Sequence, residues 1–191
     1  MSGPGERKAA LRAQVRAVRD ALPVAERETA ARRIAEHGEV ALRARARSAI
    51  VSLYWPMRSE LDPRPLATRL AAAGATLALP AFVGARMEFR RFRDGDALRP
   101  AGFQTFEPTA EAPVVVPTLV LAPLLAFDRR GARLGWGKGY YDTFLGGLDA
   151  AGTRPFVVGV ALACQEVDEV PTEPHDRRLD AVVTELGFRP F

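Results

Sequence analysis

The sequence predicts a single α/β domain in three layers, with a mainly parallel central sheet and helices on both faces. Three observations predict it. Short runs at 49–54, 76–79, 119–122, 156–160 and 181–184 are almost wholly apolar, the composition of strands buried on both sides. Helical patterns stand between several of them, the order expected of strand–helix–strand crossovers. The 191 residues suit one domain, and no repeat or low-complexity linker divides them, so 1–191 is read as one unit.

The elements follow in order. Residues 7–47 read as two helices: Leu11, Val15, Val18 and Leu22 recur at helical spacing, and Pro23 opens the second helix at its first turn. The run from Ala49 to Tyr54 reads as a buried strand that ends at Trp55-Pro56. A helix is expected over about 65–73, ended by Gly74, and then a strand from Thr76 to Leu79, stopped by Pro80. Met87 to Arg93 alternates in part, as an edge strand does, which makes Arg90, Arg91 and Arg93 a solvated face. Residues 95–117 are rich in turn formers and read as irregular. Leu119–Ala122 is a buried strand closed by Pro123, Tyr140–Leu145 reads as a helix start, and 156–160 and 181–184 are the last two strands. In such sheets ligands collect at the carboxyl ends of the strands.

Composition narrows the function classes. The hydrophobic fraction of 48% and charged fraction of 26% are those of a globular protein, and no apolar run approaches the roughly 20 residues of a membrane span. Met1 to Arg19 alternates Ala with Arg around no apolar centre, so it is not read as a secretory signal. The single cysteine, Cys164, excludes an internal disulfide, fits the reducing cytoplasm and is read as a small buried residue. The two histidines offer it no base: His37 falls on a polar helix, and His175 is read as a structural neighbour of Asp176. The net charge of +4 admits phosphate-bearing partners, but the arginines are spread through amphipathic helices rather than gathered with aromatics, which argues against a nucleic-acid-binding module. Of 27 basic residues only Lys8 and Lys138 are lysine. Where Arg has replaced Lys almost throughout, a retained Lys is a candidate for a position that needs a compact point charge, the alternative being chance survival.

Lys138 lies in the most informative stretch, Asp128 to Asp142, which ends Arg-Leu-Gly-Trp-Gly-Lys-Gly-Tyr-Tyr-Asp. Glycines at every second position bring successive amides close to a ligand, and such a turn forms a concave anion site at a helix start. It is not a Walker loop, because no Ser or Thr follows the Lys, and the spacing is not that of a dinucleotide fingerprint. The plain alternatives are a glycine-rich surface turn, core or capping roles for Tyr140 and Tyr141, and a first-turn carboxylate at Asp142.

These residues resemble the signature of the 5-formyltetrahydrofolate cyclo-ligase family, the methenyltetrahydrofolate synthetases. Four other segments resemble family elements in the same order: Lys8-Ala9-Ala10-Leu11-Arg12, Tyr54 to Leu61, Phe106-Glu107-Pro108, and Pro174 to Asp180. The resemblance implies a Rossmann-like, CoA-transferase-like α/β fold. It also implies an enzyme in which ATP phosphorylates the N5-formyl oxygen of the folate, N10 closes the ring, and ADP and phosphate leave. By it, ATP is held by Lys8, Ala9, Ala10, Leu11, Arg12, Arg133, Gly135, Trp136, Gly137, Lys138, Gly139, Tyr140 and Tyr141. Trp55, Glu60, Trp136, Gly137, Lys138, Gly139 and Tyr140 line the folate site, Lys138 and Glu60 being the catalytic pair. Asp142 and Asp176 hold Mg²⁺. The implied partners are ATP and 5-formyltetrahydrofolate, without nucleic acid or membrane, for a monomer or else a homodimer. Two other readings remain open at this point: a family paralogue serving another pathway, such as a thiamin-related one, and a basic nucleic-acid-binding module.

Overall fold

The computed structural model describes residues 4–174 and 176–191. His175, and with it the reading of that side chain as a neighbour of Asp176, lies outside the described residues. Helices α1 (Pro4–Asp20) and α2 (Val24–Ala46) lead into β1 (Ile50–Ser52), and α3 (Arg64–Ala72) connects β1 to β2 (Thr76–Val83). There follow β3 (Arg86–Phe92), β4 (Leu98–Pro100), β5 (Phe106–Pro108), β6 (Val114–Val115) and β7 (Leu119–Ala122). Short strands β8 (Ala126–Phe127) and β9 (Arg133–Leu134) precede α4 (Tyr140–Ala150), and β10 (Phe156–Val160), β11 (Ala181–Thr184) and β12 (Gly187–Pro190) close the chain. No helix among the described residues is long and apolar enough to cross a membrane.

Eight strands form one sheet in the order β12-β11-β10-β7-β1-β2-β3-β6. The inner five are parallel: Val51 of β1 stands beside both Leu77 and Leu119, and Val158 of β10 beside both Leu121 and Ala181. Successive strand residues point to opposite faces, and the cores divide accordingly. Val51, Leu119, Leu121, Val158 and Val183 pack under α2 and α3, whereas Val120, Ala122, Val157 and Val182 face Leu145 of α4. Fully buried Leu66 and Leu70 each contribute roughly 1.5–3 kcal/mol by leaving water. α2 approaches α3 closely only because residue 38 is glycine, since a Cβ there would stand 2.7 Å from Leu66.

The structure corrects the sequence reading in several places. β2 continues through Pro80 to Val83. Ala78 turns its carbonyl toward β1, so Pro80, two residues on, directs its missing N–H to the same side, where β1 has already ended. The stretch 95–117 is not irregular throughout: β4 and β5 form a hairpin and β6 pairs with β3, which is therefore not the sheet edge. Arg90 is not a solvated arginine either, because it reaches Glu88 and the carbonyls of Ala110 and Ala112. A further edge strand, β12, lies beyond the strand read as last. Pro23 precedes α2 as its cap residue rather than opening its first turn. On α1 the inward stripe is Lys8, Leu11, Val15 and Arg19, while Val18 is 47% exposed. Cys164 is exposed, not buried. It sits in a one-turn 3₁₀ segment that instead turns Gln165 inward, where its amide donates to the carbonyls of Leu124 and Leu125 at 2.8 and 3.0 Å.

From β1 the chain crosses through α3 to one side of the sheet, and from β7 it crosses through α4 to the other. The crossing direction therefore reverses between these adjacent strands, the place where an open α/β sheet leaves a crevice at the carboxyl ends.

Candidate active site

A cleft of about 940 Å³ opens at this crevice, large enough for two small molecules side by side. Its walls come from the segment after β1, the end of β2, the loop between β9 and α4, and the approach to β11, which contributes Glu173 and Asp176. The β4–β5 hairpin adds Ala101, Thr105, Phe106 and Glu107 on one side.

The glycine loop forms the floor. Gly137 (φ +92°) and Gly139 (φ +69°) are left-handed, a region closed to most side chains, whereas Gly135 is not and serves through its carbonyl. Arg12 donates from Nε to the Gly135 oxygen at 2.9 Å, and its guanidinium lies so close that a Cβ on residue 137 would stand 3.1 Å from Cζ. Gly139 caps α4, whose first turn has no side-chain cap, so its amides and dipole face the loop. Lys138 is exposed on this turn and makes no ion pair among the described residues. Tyr140 meets Phe82 edge to face at 4.8 Å, and Tyr141 packs against Phe89 with its hydroxyl buried and pushed well above the ordinary tyrosine range by burial.

The N-terminal helix reaches across to the far end of the chain. Lys8 Nζ bonds Glu173 at 2.7 Å and Asp176 at 2.8 Å. Burial opposes its charge, but the bonds to Asp176 and Glu173 outweigh it and raise the ammonium above the ordinary lysine value. Arg133 pairs with Asp142 Oδ1 at 2.7 Å, the Arg177 amide donates to the same oxygen at 3.1 Å, and burial pulls the guanidinium down while Asp142 offsets it. Ala9 and Ala10 lie on the exposed side of α1 and Leu11 packs into a core, so none of the three lines the cleft. Asp142 and Asp176 both do. Among the described residues no set of three or more His, Cys, Asp or Glu is placed to hold a metal by itself. Two carboxylates lining one cleft are a donor set that fits magnesium, which takes one or two protein carboxylates and completes its shell with phosphate oxygens and water.

Across the cleft lies the polar pocket after β1. Glu60, 8% exposed, accepts from Trp136 Nε1 at 2.6 Å and from the Met57 amide at 2.8 Å. Burial raises its pKa above the ordinary glutamate value, while those bonds and Arg19 oppose the rise. A carboxylate has further lone pairs for a ligand's donors. Trp55 meets Phe106 edge to face at 5.2 Å and carries Arg64 over its ring at 4.8 Å, so one indole wall is already fixed. The cleft thus brings together Lys8, Arg133, Gly135 to Asp142, Asp176, Trp55 and Glu60, with Arg12 clamped beneath the loop. Sequence reasoning missed Arg19 and Glu173. Arg19 continues the stripe of Lys8, Leu11 and Val15, a signal hidden among so many arginines. Glu107 was noticed only as part of a Glu-Pro pair; its buried carboxylate accepts the Phe82 amide at 2.9 Å and pairs with Arg99 at 2.6 Å, tying the hairpin to β2.

Comparison with known proteins places the chain in a family. The family model of the 5-formyltetrahydrofolate cyclo-ligase family matches residues 4–185. The chain is 34% identical over 141 residues to the 5-formyltetrahydrofolate cyclo-ligase of Escherichia coli K12, covering 70% of this chain and 76% of that one. It is 26% identical over 178 residues to that of Haemophilus influenzae, 90% and 94% of the two chains. Among solved structures, the 5,10-methenyltetrahydrofolate synthetase of Aquifex aeolicus superposes with a TM-score of 0.77 at 31% identity, over 96% of this chain and 92% of that one. A 5,10-methenyltetrahydrofolate synthetase from Mycoplasma pneumoniae, at 23% identity, shares the fold with a TM-score of 0.74 over 93% and 98%. The glycine loop, the clamped N-terminal helix and the β1 pocket therefore sit in a chain that belongs to the 5-formyltetrahydrofolate cyclo-ligase family.

Proposed function

We propose that the chain converts 5-formyltetrahydrofolate to 5,10-methenyltetrahydrofolate with ATP and magnesium, releasing ADP and phosphate. The observation that carries this reading is one cleft in which an amide-lined loop bearing Lys138 faces a buried carboxylate beside aromatic walls. An amide-like formyl oxygen is a poor leaving group. Transfer of the γ-phosphoryl group to it makes a good one, after which N10 attacks the activated carbon and phosphate departs. Such transfer is catalysed mainly by positioning and charge neutralisation.

In this reading the loop from Gly135 to Tyr140 wraps the phosphates, Lys138 carries its charge to the transferred group, and Lys8 and Arg12 fix the helix that closes the nucleotide end. Asp142 and Asp176 would hold magnesium, which supplies charge neutralisation at the phosphate oxygens. Glu60 accepts the adjacent ring N–H and amino donors of the pterin, against Trp55 and Trp136. The assay is the absorbance of the methenyl product formed from 5-formyltetrahydrofolate with ATP and magnesium, with ADP released mole for mole. Folded protein that binds nucleotide yet forms no methenyl product would point to the paralogue reading instead.

A further inference from the structure

Arg19 lies one layer behind the β1 pocket. Its side chain is 1% exposed, the largest of the fully buried residues, although α1 is otherwise a surface helix. Nε donates to Ser59 Oγ at 3.1 Å, and the Ser59 hydroxyl in turn donates to Asp20, whose carboxylate also receives Arg16. The guanidinium carbon stands 5.5 Å from the centroid of the Trp136 ring, and Nη2 is buried with no hydrogen-bond partner among the described residues. A buried cation with an unpaired donor is costly, so its place needs a compensating charge.

Two carboxylates supply it, Glu60 first and Asp20 second. Of these, Glu60 is the buried one. It is buried beside the same indole and attracts Arg19 electrostatically. Tyr54 and Tyr141 also feel Glu60 and are raised by burial, hence neutral, while Arg19 is a cation that offsets the burial of this carboxylate.

We infer that Arg19 is a positioning residue for the β1 pocket: set against Trp136, it fixes the indole whose Nε1 donates to Glu60 and holds a buried positive charge near that carboxylate. It touches no substrate and does not line the cleft. The inference rests on the proposed folate role of Glu60, so its test has one arm that needs no turnover.

That arm follows the Trp136 Nε1–H resonance, assigned by comparison with Trp55→Phe, against pH. The resonance reports protonation of Glu60 across the 2.6 Å bond. In Arg19→Met its midpoint is expected to rise by about one pH unit, the shift produced by losing one neighbouring charge, and Arg19→Lys should restore most of it. In the kinetic arm, Arg19→Met should raise the KM for 5-formyltetrahydrofolate about tenfold and that for ATP less than twofold. A purely structural role would lower the melting temperature in Arg19→Met and Arg19→Lys alike without moving the resonance midpoint. An unchanged midpoint in folded Arg19→Met overturns the inference, as do equal changes in the two KM values. Should Arg19→Met fail to fold, Ser59→Ala, which keeps the Arg19 charge but releases its Nε bond together with the Ser59–Asp20 bond, must move the midpoint upward by a smaller amount, and no movement overturns it too. If the parent protein forms no methenyl product, the folate reading falls while the resonance arm still decides the role of Arg19.

Discussion

Replacing Gly137 by Ala should weaken nucleotide binding far more than the same change at Gly139, and the structure sets the size of the difference. Both residues are left-handed, at φ +92° and +69°, so either alanine stores backbone strain of about 1–3 kcal/mol. At residue 139 the strain is the whole cost, because a Cβ there meets nothing within 4 Å. At residue 137 the Cβ stands 3.1 Å from Cζ and Nη2 of Arg12, and the guanidinium must withdraw. Withdrawal endangers its 2.9 Å bond to the Gly135 carbonyl, an interaction worth roughly 1.5–3 kcal/mol when the donor is charged. Arg12 is half-buried, so the lower end applies. The excess at Gly137 is then about 1.5 kcal/mol, or roughly tenfold in affinity. The loop is exposed and relaxes rather than unfolding the domain, so the cost should fall on binding and leave the melting temperature nearly unchanged. Calorimetry with ATP and magnesium measures it. Equal weakening in the two variants would refute the Arg12 argument, and no weakening in either would refute the loop as a phosphate cradle.

Two further outcomes are expected. Lys138→Met should melt at the parent's temperature, since this exposed ammonium makes no ion pair among the described residues, yet lose about a hundredfold or more in turnover, the scale of one transition-state charge contact; near-normal turnover would remove it from the reaction. Asp128 is fully buried, and although burial opposes its charge, the amides of Val170, Arg130 and Ala132 hold its carboxyl below the ordinary value. Its folded pKa is therefore depressed, so the stability it contributes is complete above its unfolded value near 4 and fades as pH falls through the folded one. The melting difference between parent and Asp128→Asn should shrink below about pH 4, and a constant difference would show that the charge is not what stabilises the fold.

How far the sequence could be read depended on where each residue's partners lie. The inner strands were legible because both faces of β7 and β11 are covered, which leaves continuous apolar runs. β4, β5, β6 and β12 are short edge or hairpin pieces flanked or interrupted by proline and glycine, and nothing local separates them from loops. Pro80 looked like a strand end because a missing donor matters only where a neighbour awaits it, and the length of β1 is not written near residue 80. The glycine loop and Glu60 were legible through their resemblance to a family. Arg19 was not, because hydrophobic periodicity counts every arginine as outward.

The same blindness bears on how α1 is held. α2 buries seven residues, from Ala30 to Ala46, against the body of the protein. α1 instead turns Lys8, Arg12 and Arg19 inward around Leu11 and Val15, and it is fixed by the bonds to Glu173, Asp176, Gly135 and Ser59. Two apolar anchors at roughly 1.5–3 kcal/mol each give it little burial energy, and an ion pair is a weak net stabiliser where water can enter. α1 should therefore open locally at lower free energy than α2, and amide hydrogen exchange should be faster over 5–20 than over 24–46. A nucleotide seated on the glycine loop would brace Arg12 and bring phosphate charge close to Lys8, so ATP with magnesium should slow exchange in α1 selectively, whatever the rate of chemistry. Exchange in α1 that ignores saturating nucleotide would mean that the helix is structural only, and that the phosphates are gripped by the loop without it.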